Sequence, residues 1–158
     1  MTFREALPGD IPRLAELHFA LVYEIKREVN DEYWDFETLS APDTEDMLRS
    51  YIDSPERSIF VYEQGGIVAG FICADIVACH MPISSVKSVG YISGAYVLPE
   101  YRGKGAMKRL EALACGFFKE KGLKYAEVNF LSGNAAAKRA WQAMGYGTFR
   151  EQARKRLD

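Results

Sequence analysis

The strongest constraint on the fold is a tight glycine turn between an apolar strand and a helix, within residues 97–110. Gly103 and Gly105 permit backbone conformations that are closed to residues with a Cβ atom, and they leave room for a ligand beside the main chain. Apolar residues follow the turn at helical spacing: Met107, Leu110, Leu113, Ala114 and Phe117. The first turn of this helix therefore presents unpaired N–H groups directly after the glycines, where phosphate oxygens bind well.

Four basic side chains surround this turn: Arg102, Lys104, Lys108 and Arg109. A free helix is stabilised by acidic residues in its first turn, so basic residues at its positive end favour a bound polyanion. The alternative is a capped surface turn with solvated lysines, because short glycine motifs also occur by chance. The turn is not a P-loop, which needs Ser or Thr where Gly105 stands, nor a dinucleotide fingerprint, which needs Gly or Ala at Lys108.

The chain after this helix predicts a crossover unit. Residues 125–131 have the partly alternating pattern of a strand, and the order strand, glycine turn, helix, strand indicates two strands of one sheet with a right-handed connection. Asn134 opens another helix, which runs through Met144 and ends at Gly145. Residues 146–157 could supply one or two final strands.

The chain before the glycine turn predicts alternating helices and strands. In order, these are a strand at 2–6, a helix from Asp10 to about Val29, a helix near 44–52, a hairpin of strands at 58–63 and 67–79, a loop at 80–87, and a strand at 88–98. The last of these strands feeds the glycine turn.

The composition predicts one soluble domain that spans residues 1–158, since 48% of the residues are hydrophobic and 27% are charged. No apolar run is long enough for a membrane span and the N-terminus lacks a signal-peptide core, so we expect a cytoplasmic protein without a membrane partner. Cys73, Cys79 and Cys115 lie in apolar contexts and predict buried free thiols. Two histidines give no metal-ligand spacing, and a formal charge of −2 gives no reason to expect a nucleic-acid partner.

An acidic, aromatic run at residues 30–37 contrasts with the basic glycine turn. Nine acidic residues lie within residues 24–46, against Lys26 and Arg27. Large aromatic side chains are costly to leave in water, so the run could line a pocket for a cationic group, with Tyr33 and Trp34 as candidate acceptor contacts. The alternative is a solvated linker.

Two segments carry a resemblance to a known family. Residues 99–105 resemble the acetyl-coenzyme A pyrophosphate loop of the GNAT superfamily of N-acetyltransferases, with the pattern Arg/Gln-x-x-Gly-x-Gly/Ala. Arg102, Gly105 and Met107 fall on its defined positions, although Met107 replaces a small residue. Residues 134–146 are similar to the family's Asn-x-x-Ala-x-x-x-Tyr-x-x-x-Gly-Phe segment, through Asn134, Ala137, Gly145 and Tyr146.

The resemblance implies an α/β (α+β) fold, with a mixed, mostly antiparallel sheet of six to seven strands flanked by about four helices. A V-shaped split beside the strand before the glycine turn would hold acetyl-CoA as cosubstrate, without a metal. The implied activity is direct transfer of the acetyl group to a primary amine of a small molecule or protein; a homodimer is left open. The implied cofactor contacts are Ala95, Tyr96, Val97, Arg102, Gly103, Lys104, Gly105, Ala106, Met107, Asn134, Lys138 and Trp141.

The catalytic positions depart from the family's pattern. Many members place a Glu base where this chain has Ser93, so we expect the Ser93 hydroxyl to order a water that carries the proton away. Tyr91 lies on the same strand face by alternation and would join this chain of proton carriers, although packing or solvation of both is the alternative. Asp75 is a spare carboxylate in an apolar run, and its burial could favour its protonated form, but an outward-facing Asp is the commoner arrangement.

The acid position is changed as well, because Trp141 stands where many relatives have the tyrosine that protonates the leaving thiolate. An indole donates a hydrogen bond but is no acid at neutral pH, so Trp141 either packs against the pantetheine arm or fills the core. These replacements leave open a second function, an acetyl-CoA-binding sensor or regulatory module that lacks efficient transfer. An interaction domain without a ligand is disfavoured by the basic glycine turn.

Overall fold

The computed structural model describes residues 1–158. In chain order, the elements are β1 (Thr2–Glu5), α1 (Ile11–Val29), α2 (Ala41–Arg49), β2 (Arg57–Gln64), β3 (Ile67–Ala78), β4 (Ser88–Val97), α3 (Ala106–Glu120), β5 (Ala126–Val128) and α4 (Ala135–Ala143). Short 3-10 turns lie at Pro8–Asp10, Glu32–Trp34 and Pro99–Tyr101. None of the helices combines the length and the apolarity needed to cross a bilayer.

The sheet has five strands in the order β1-β2-β3-β4-β5. Its first four strands are antiparallel, whereas β5 lies parallel to β4 and is reached through α3, as the crossover unit predicted. The four helices are confirmed, but the prediction of six to seven strands was wrong, because residues 147–158 form no strand. This exposed, basic segment instead forms ion pairs, Arg154 with Asp31 and Arg156 with Glu32.

Two hydrophobic cores lie on opposite faces of the sheet. Side chains of α1 and α2 cover Phe71 and Cys73 of β3, whereas α3 and Trp141 cover Ile72 and Ala74. Successive side chains of a strand point to opposite faces, so burial on both sides explains why β3 is almost continuously apolar.

A bulge interrupts β4 at Ser93. Cys73 of β3 pairs with Gly94 and Ala74 pairs with Ile92, which leaves Ser93 without a partner on β3. The β4 positions that face α3 are consequently even-numbered before the bulge and odd-numbered after it. Ser93 therefore faces the side of the sheet that α1 and α2 cover.

The strands β4 and β5 separate just before this bulge. They pair only at residues 90–92 of β4 with residues 126–128 of β5, so the rest of β4 has no neighbour on that side. The separation confirms the V-shaped split beside the strand that enters the glycine turn.

Candidate active site

The N-terminus of α3 carries a row of unpaired backbone donors. No N–H group from Gly103 to Lys108 has an acceptor within the chain, and the first return bond runs from Arg109 to the carbonyl of Gly105, at 3.1 Å. Gly103 and Gly105 have φ angles of 77° and 75°, which residues with a Cβ atom rarely adopt. Consecutive N–H groups at the positive end of a helix form a site for phosphate oxygens. We call residues 103–108 the cradle.

A cavity of about 120 Å³ adjoins the cradle and is lined by Val97, Arg102, Gly103, Gly105, Ala106, Met107 and Lys108. Lys104 and Lys108 are exposed and form no ion pair, so both can approach a phosphate. The guanidinium of Arg109 instead lies 4.4 Å from the centre of the Phe3 ring. The Met107 side chain is half-buried against the core on the α3 face, and its backbone N–H is unpaired because it lies in the first turn of the helix.

Arg102 anchors the cradle to the rest of the fold. Its Nε donates to the carbonyl oxygen of Val97 at 2.7 Å, and its Nη2 donates to both carboxylate oxygens of Glu24 on α1 at 2.9 Å. The Tyr96 hydroxyl donates to the same carboxylate at 3.1 Å, and burial together with the Glu24 charge raises the pKa of Tyr96. Since Glu24 already balances the Arg102 charge, the positive side chains left free beside the cradle are Lys104 and Lys108.

The predicted contacts on β4 and α4 differ in burial. Tyr96 and Val97 are buried and Ala95 is half-buried, at the part of β4 that lacks a neighbour on the β5 side. Asn134 caps α4, because its side-chain oxygen accepts from the N–H of Ala137 at 3.0 Å. Lys138 is exposed on the same helix.

Trp141 fills the core between α4 and the sheet. Its side chain is 8% exposed and its ring lies edge-on to Tyr146, with 5.3 Å between ring centres. The Tyr146 hydroxyl donates to the carboxylate of Glu111 at 3.1 Å. Core packing is thus the arrangement observed for Trp141.

A buried carboxylate, that of Asp75, lies behind Ser93, and the sequence did not reveal its partners. The Oδ2 atom of Asp75 accepts hydrogen bonds from Ser93 at 2.5 Å and from the Tyr51 hydroxyl at 2.9 Å, and Nε of Arg57 lies 3.4 Å from Oδ1. An outward-facing Asp75 was therefore the wrong expectation. The side of the sheet that Asp75 faces could have been predicted, because Asp75 lies four residues after Phe71 on the same strand. Alternate side chains share a face, and Phe71 faces α1 and α2.

The structure does not bring the hydroxyl of Tyr91 to Ser93. Tyr91 instead accepts a hydrogen bond from the side-chain amide of Asn129 at 3.3 Å. Ser93 itself is exposed at the opening between β4 and β5, so its hydroxyl can meet both the buried Asp75 and a ligand.

The acidic run at residues 30–37 already contacts cations of the same chain. The guanidinium of Arg154 lies 4.4 Å from the centre of the Tyr33 ring and forms a bidentate pair with Asp31, which lowers the pKa of that carboxyl. The ammonium of Lys26 lies 4.5 Å from the Phe36 ring centre. Trp34 is half-buried. Tyr33 is 80% exposed, and a cavity of about 290 Å³ lies between residues 30–33 and residues 154–156.

Comparison with known structures shows how widely this fold occurs. A mutant of the BH1408 protein from Bacillus halodurans is 18% identical, with a TM-score of 0.86 over 99% of each chain. The aminoglycoside 6'-N-acetyltransferase AAC(6')-IG from Acinetobacter haemolyticus is 15% identical, with a TM-score of 0.79 over 100% of each chain. AAC(6')-Iy, in complex with a bisubstrate analog of CoA and acetylneamine, is 16% identical, with a TM-score of 0.80 over 99% of this chain and 97% of that chain. At these identities the likeness shows a shared fold.

Comparison with curated protein sequences gave no match. The model of the acetyltransferase (GNAT) family matches residues 24–146, which include the separated end of β4, the cradle and α4. The expected family is thus confirmed, and with it the acyltransferase class and acetyl-CoA as the cosubstrate. This chain belongs to the acetyltransferase (GNAT) family of acetyl-CoA-dependent N-acetyltransferases.

Proposed function

We propose that this protein transfers the acetyl group of acetyl-CoA to a primary amine of a small molecule or a protein. The observation that carries the proposal is the row of unpaired N–H groups from Gly103 to Lys108 beside the open edge of β4. The pyrophosphate would lie on the cradle and the pantetheine arm along residues 95–97. Asn134, Lys138 and Trp141 would lie near the cofactor on α4.

Two observations support a cationic amine as the acceptor. The acidic run holds a guanidinium over Tyr33 and an ammonium over Phe36, so its chemistry suits positively charged groups. Several proteins of similar structure are named aminoglycoside N-acetyltransferases, and aminoglycosides carry such amines. Tyr33 and Trp34 are the proposed acceptor contacts, reached once Arg154 moves aside.

Direct transfer fits the cysteine environments. Burial raises the pKa of the Cys73 thiol, and burial together with the Glu111 hydrogen bond raises the pKa of Cys115 to about 11. Both thiols stay protonated at neutral pH and are poor nucleophiles. The amine itself would attack the thioester, with a β4 N–H near Val97 stabilising the oxyanion and water at Ser93 removing the proton.

Free thiol release from acetyl-CoA tests the proposal, with neamine, spermidine, benzylamine and a lysine-containing peptide as acceptors. We expect thiol release with at least one amine, matched by an acetylated product in the mass spectrum. Thermal stabilisation by acetyl-CoA without release from any amine would contradict transferase activity and favour the sensor module. The single domain, the cytoplasmic location and a homodimer stay predictions.

A further inference from the structure

Ser93 stands at the apex of the opening between β4 and β5. It is the first residue beyond the last paired position, Ile92, and the bulge leaves its side chain exposed on the side of α1 and α2. Under the proposed function, on which this inference rests, the acceptor amine meets the acetyl group in this opening. The hydroxyl of Ser93 is thus placed to contact the attacking nitrogen or its ordered water.

Asp75, Ser93 and Tyr51 form a compact hydrogen-bonded cluster. Both hydroxyl groups donate to the same oxygen of Asp75, and the two hydroxyl oxygens lie 3.0 Å apart. Asp75 and Tyr51 are each 7% exposed, whereas Ser93 is exposed. Ser93 is therefore the hydroxyl through which the buried carboxylate reaches the opening.

Within this cluster, the carboxylate accepts the hydrogen bonds of both hydroxyl groups. Burial and the neighbouring Cys73 raise the pKa of Tyr51, so its phenol is already protonated and can only donate to Asp75. Arg57, which pairs with Asp75 in the β2–β3 register, supplies a counter-charge. Other titratable groups on this side include the Cys73 thiol, which burial keeps protonated, Tyr91 opposite Asp75 on β4, and His18 on α1, whose pKa burial lowers. Tyr96 and Arg102 also lie on this side and bind Glu24 of α1.

We propose that Asp75 is a positioning residue for acetyl transfer, which draws the acceptor's proton away through the hydroxyl of Ser93. The acceptor ammonium gives one proton to Oγ of Ser93, directly or through the ordered water, while the hydroxyl proton of Ser93 passes to Oδ2 of Asp75. The nitrogen keeps its electron pair and forms a bond with the acetyl carbon. The carbon–sulfur bond then breaks, and the thiolate takes the second proton that the nitrogen loses. Asp75 returns its proton to solvent through Ser93.

A purely structural role makes a different prediction. Tyr51 follows α2, so its bond to Asp75 also ties that helix to the sheet, and loss of the carboxylate would then lower the rate by the same factor across the pH range compared. A proton acceptor, in contrast, becomes dispensable once the pH is high enough for the amine to lose its proton in solution. The pH profile therefore separates the two roles.

The test compares Asp75→Asn and Ser93→Ala with the wild type, using neamine or spermidine, whichever the wild type acetylates faster. We expect kcat near pH 7 to fall by about 100-fold in each variant, with the KM for acetyl-CoA unchanged. The deficit should shrink as the pH rises from about 7 to about 9, and the double variant should be no slower than either single one. Ser93→Thr, which keeps a hydroxyl, should restore most of the rate.

Asp46→Asn is the matched control, because Asp46 is exposed and its side chain forms no ion pair or hydrogen bond. It should behave as the wild type. A loss of kcat that is constant with pH, or losses that add in the double variant, would overturn the proposed role of Asp75 even if the proposed function holds. Wild-type turnover equal to that of Asp75→Asn would overturn it as well. If the wild type acetylates no amine of the panel, the proposed function is wrong, and the proposed role of Asp75 is wrong as well.

Discussion

The cradle and the acidic run bind charge in opposite ways. The cradle consists of main-chain N–H groups that have no partner in the chain, at the start of one helix. The acidic run consists of side chains that the chain's own Arg154, Arg156 and Lys26 already engage. A site made of unpaired backbone groups is ready for its ligand, whereas a site made of paired side chains must exchange one cation for another.

The largest effect is expected from Gly105→Glu in the cradle. The substitution forces a side chain into a left-handed conformation and puts a negative charge where phosphate would lie, so affinity for acetyl-CoA should fall by about 100-fold or more. Isothermal titration calorimetry measures it. Gly122→Glu is the control, because Gly122 has the same φ of 75° at the opposite end of α3. Equal losses in both variants would mean that backbone strain, and not phosphate binding, explains the result.

Substitution of Arg102, which anchors the cradle, should have a smaller effect, and this effect is on stability. Arg102→Met leaves the carbonyl of Val97 and the carboxylate of Glu24 without their donor, so the free energy of unfolding should fall by about 1–2 kcal/mol in a urea titration. Acetyl-CoA binding should weaken in parallel, since the turn loses its brace. Arg139→Met, at an exposed helix position without an ion pair, should change neither quantity. Unchanged stability would show that the glycine turn is held by its backbone alone.

The acidic run should respond to the removal of its own cation. Arg154→Ala frees Asp31 and the face of Tyr33, so the KM for a cationic acceptor should fall, by about twofold to fivefold at low ionic strength. Steady-state kinetics with and without added salt measure the change. Arg150→Ala removes a charge from the same segment at an exposed residue that forms no ion pair or side-chain hydrogen bond, and its KM should stay near the wild-type value. A KM that rises in Arg154→Ala would show that the arginine contacts the acceptor instead of competing with it.

The smallest expected effect is a shift in the pKa of Asp31. The Arg154 hydrogen bonds hold the pKa of Asp31 below its ordinary value, so this pair contributes stability above that value and loses it as the pH falls through the lowered pKa. In Arg154→Ala the Asp31 pKa should return towards its ordinary value in an NMR titration. Asp10, whose pKa Arg4 lowers, is the internal control and should not move. A low Asp31 pKa that persists would assign the shift to the Tyr33 N–H alone.

The sequence predicted best what neighbouring residues determine. The glycine turn, its helix and the crossover to β5 follow from residues that lie close together in the chain, so spacing was enough. The pairing of Asp31 with Arg154 joins residues 123 positions apart, and nothing in either segment indicates the other. For the same reason the sequence predicted strands for the basic C-terminal residues, whereas in the structure ion pairs attach these residues to the acidic run.

Asp75 shows the same limit within the sheet. Its parity placed it on the face of α1 and α2, but its partners come from β2, from the residues after α2 and from the bulge in β4. A bulge depends on strand register, which residue spacing does not reveal. The Ser93 hydroxyl could therefore be named as a candidate, while the carboxylate behind it could not be assigned.

The bulge also separates the choice of residue 93 from the demands of folding. A residue without a cross-strand partner, exposed at the apex of the opening, can change size and charge while the strand on either side keeps its packing. What limits residue 93 is instead the cluster behind it: a hydroxyl bonds the buried Asp75, whereas a carboxylate would meet Asp75 as a like charge. The surrounding side chains, and not the strand pairing, therefore determine which group can stand there.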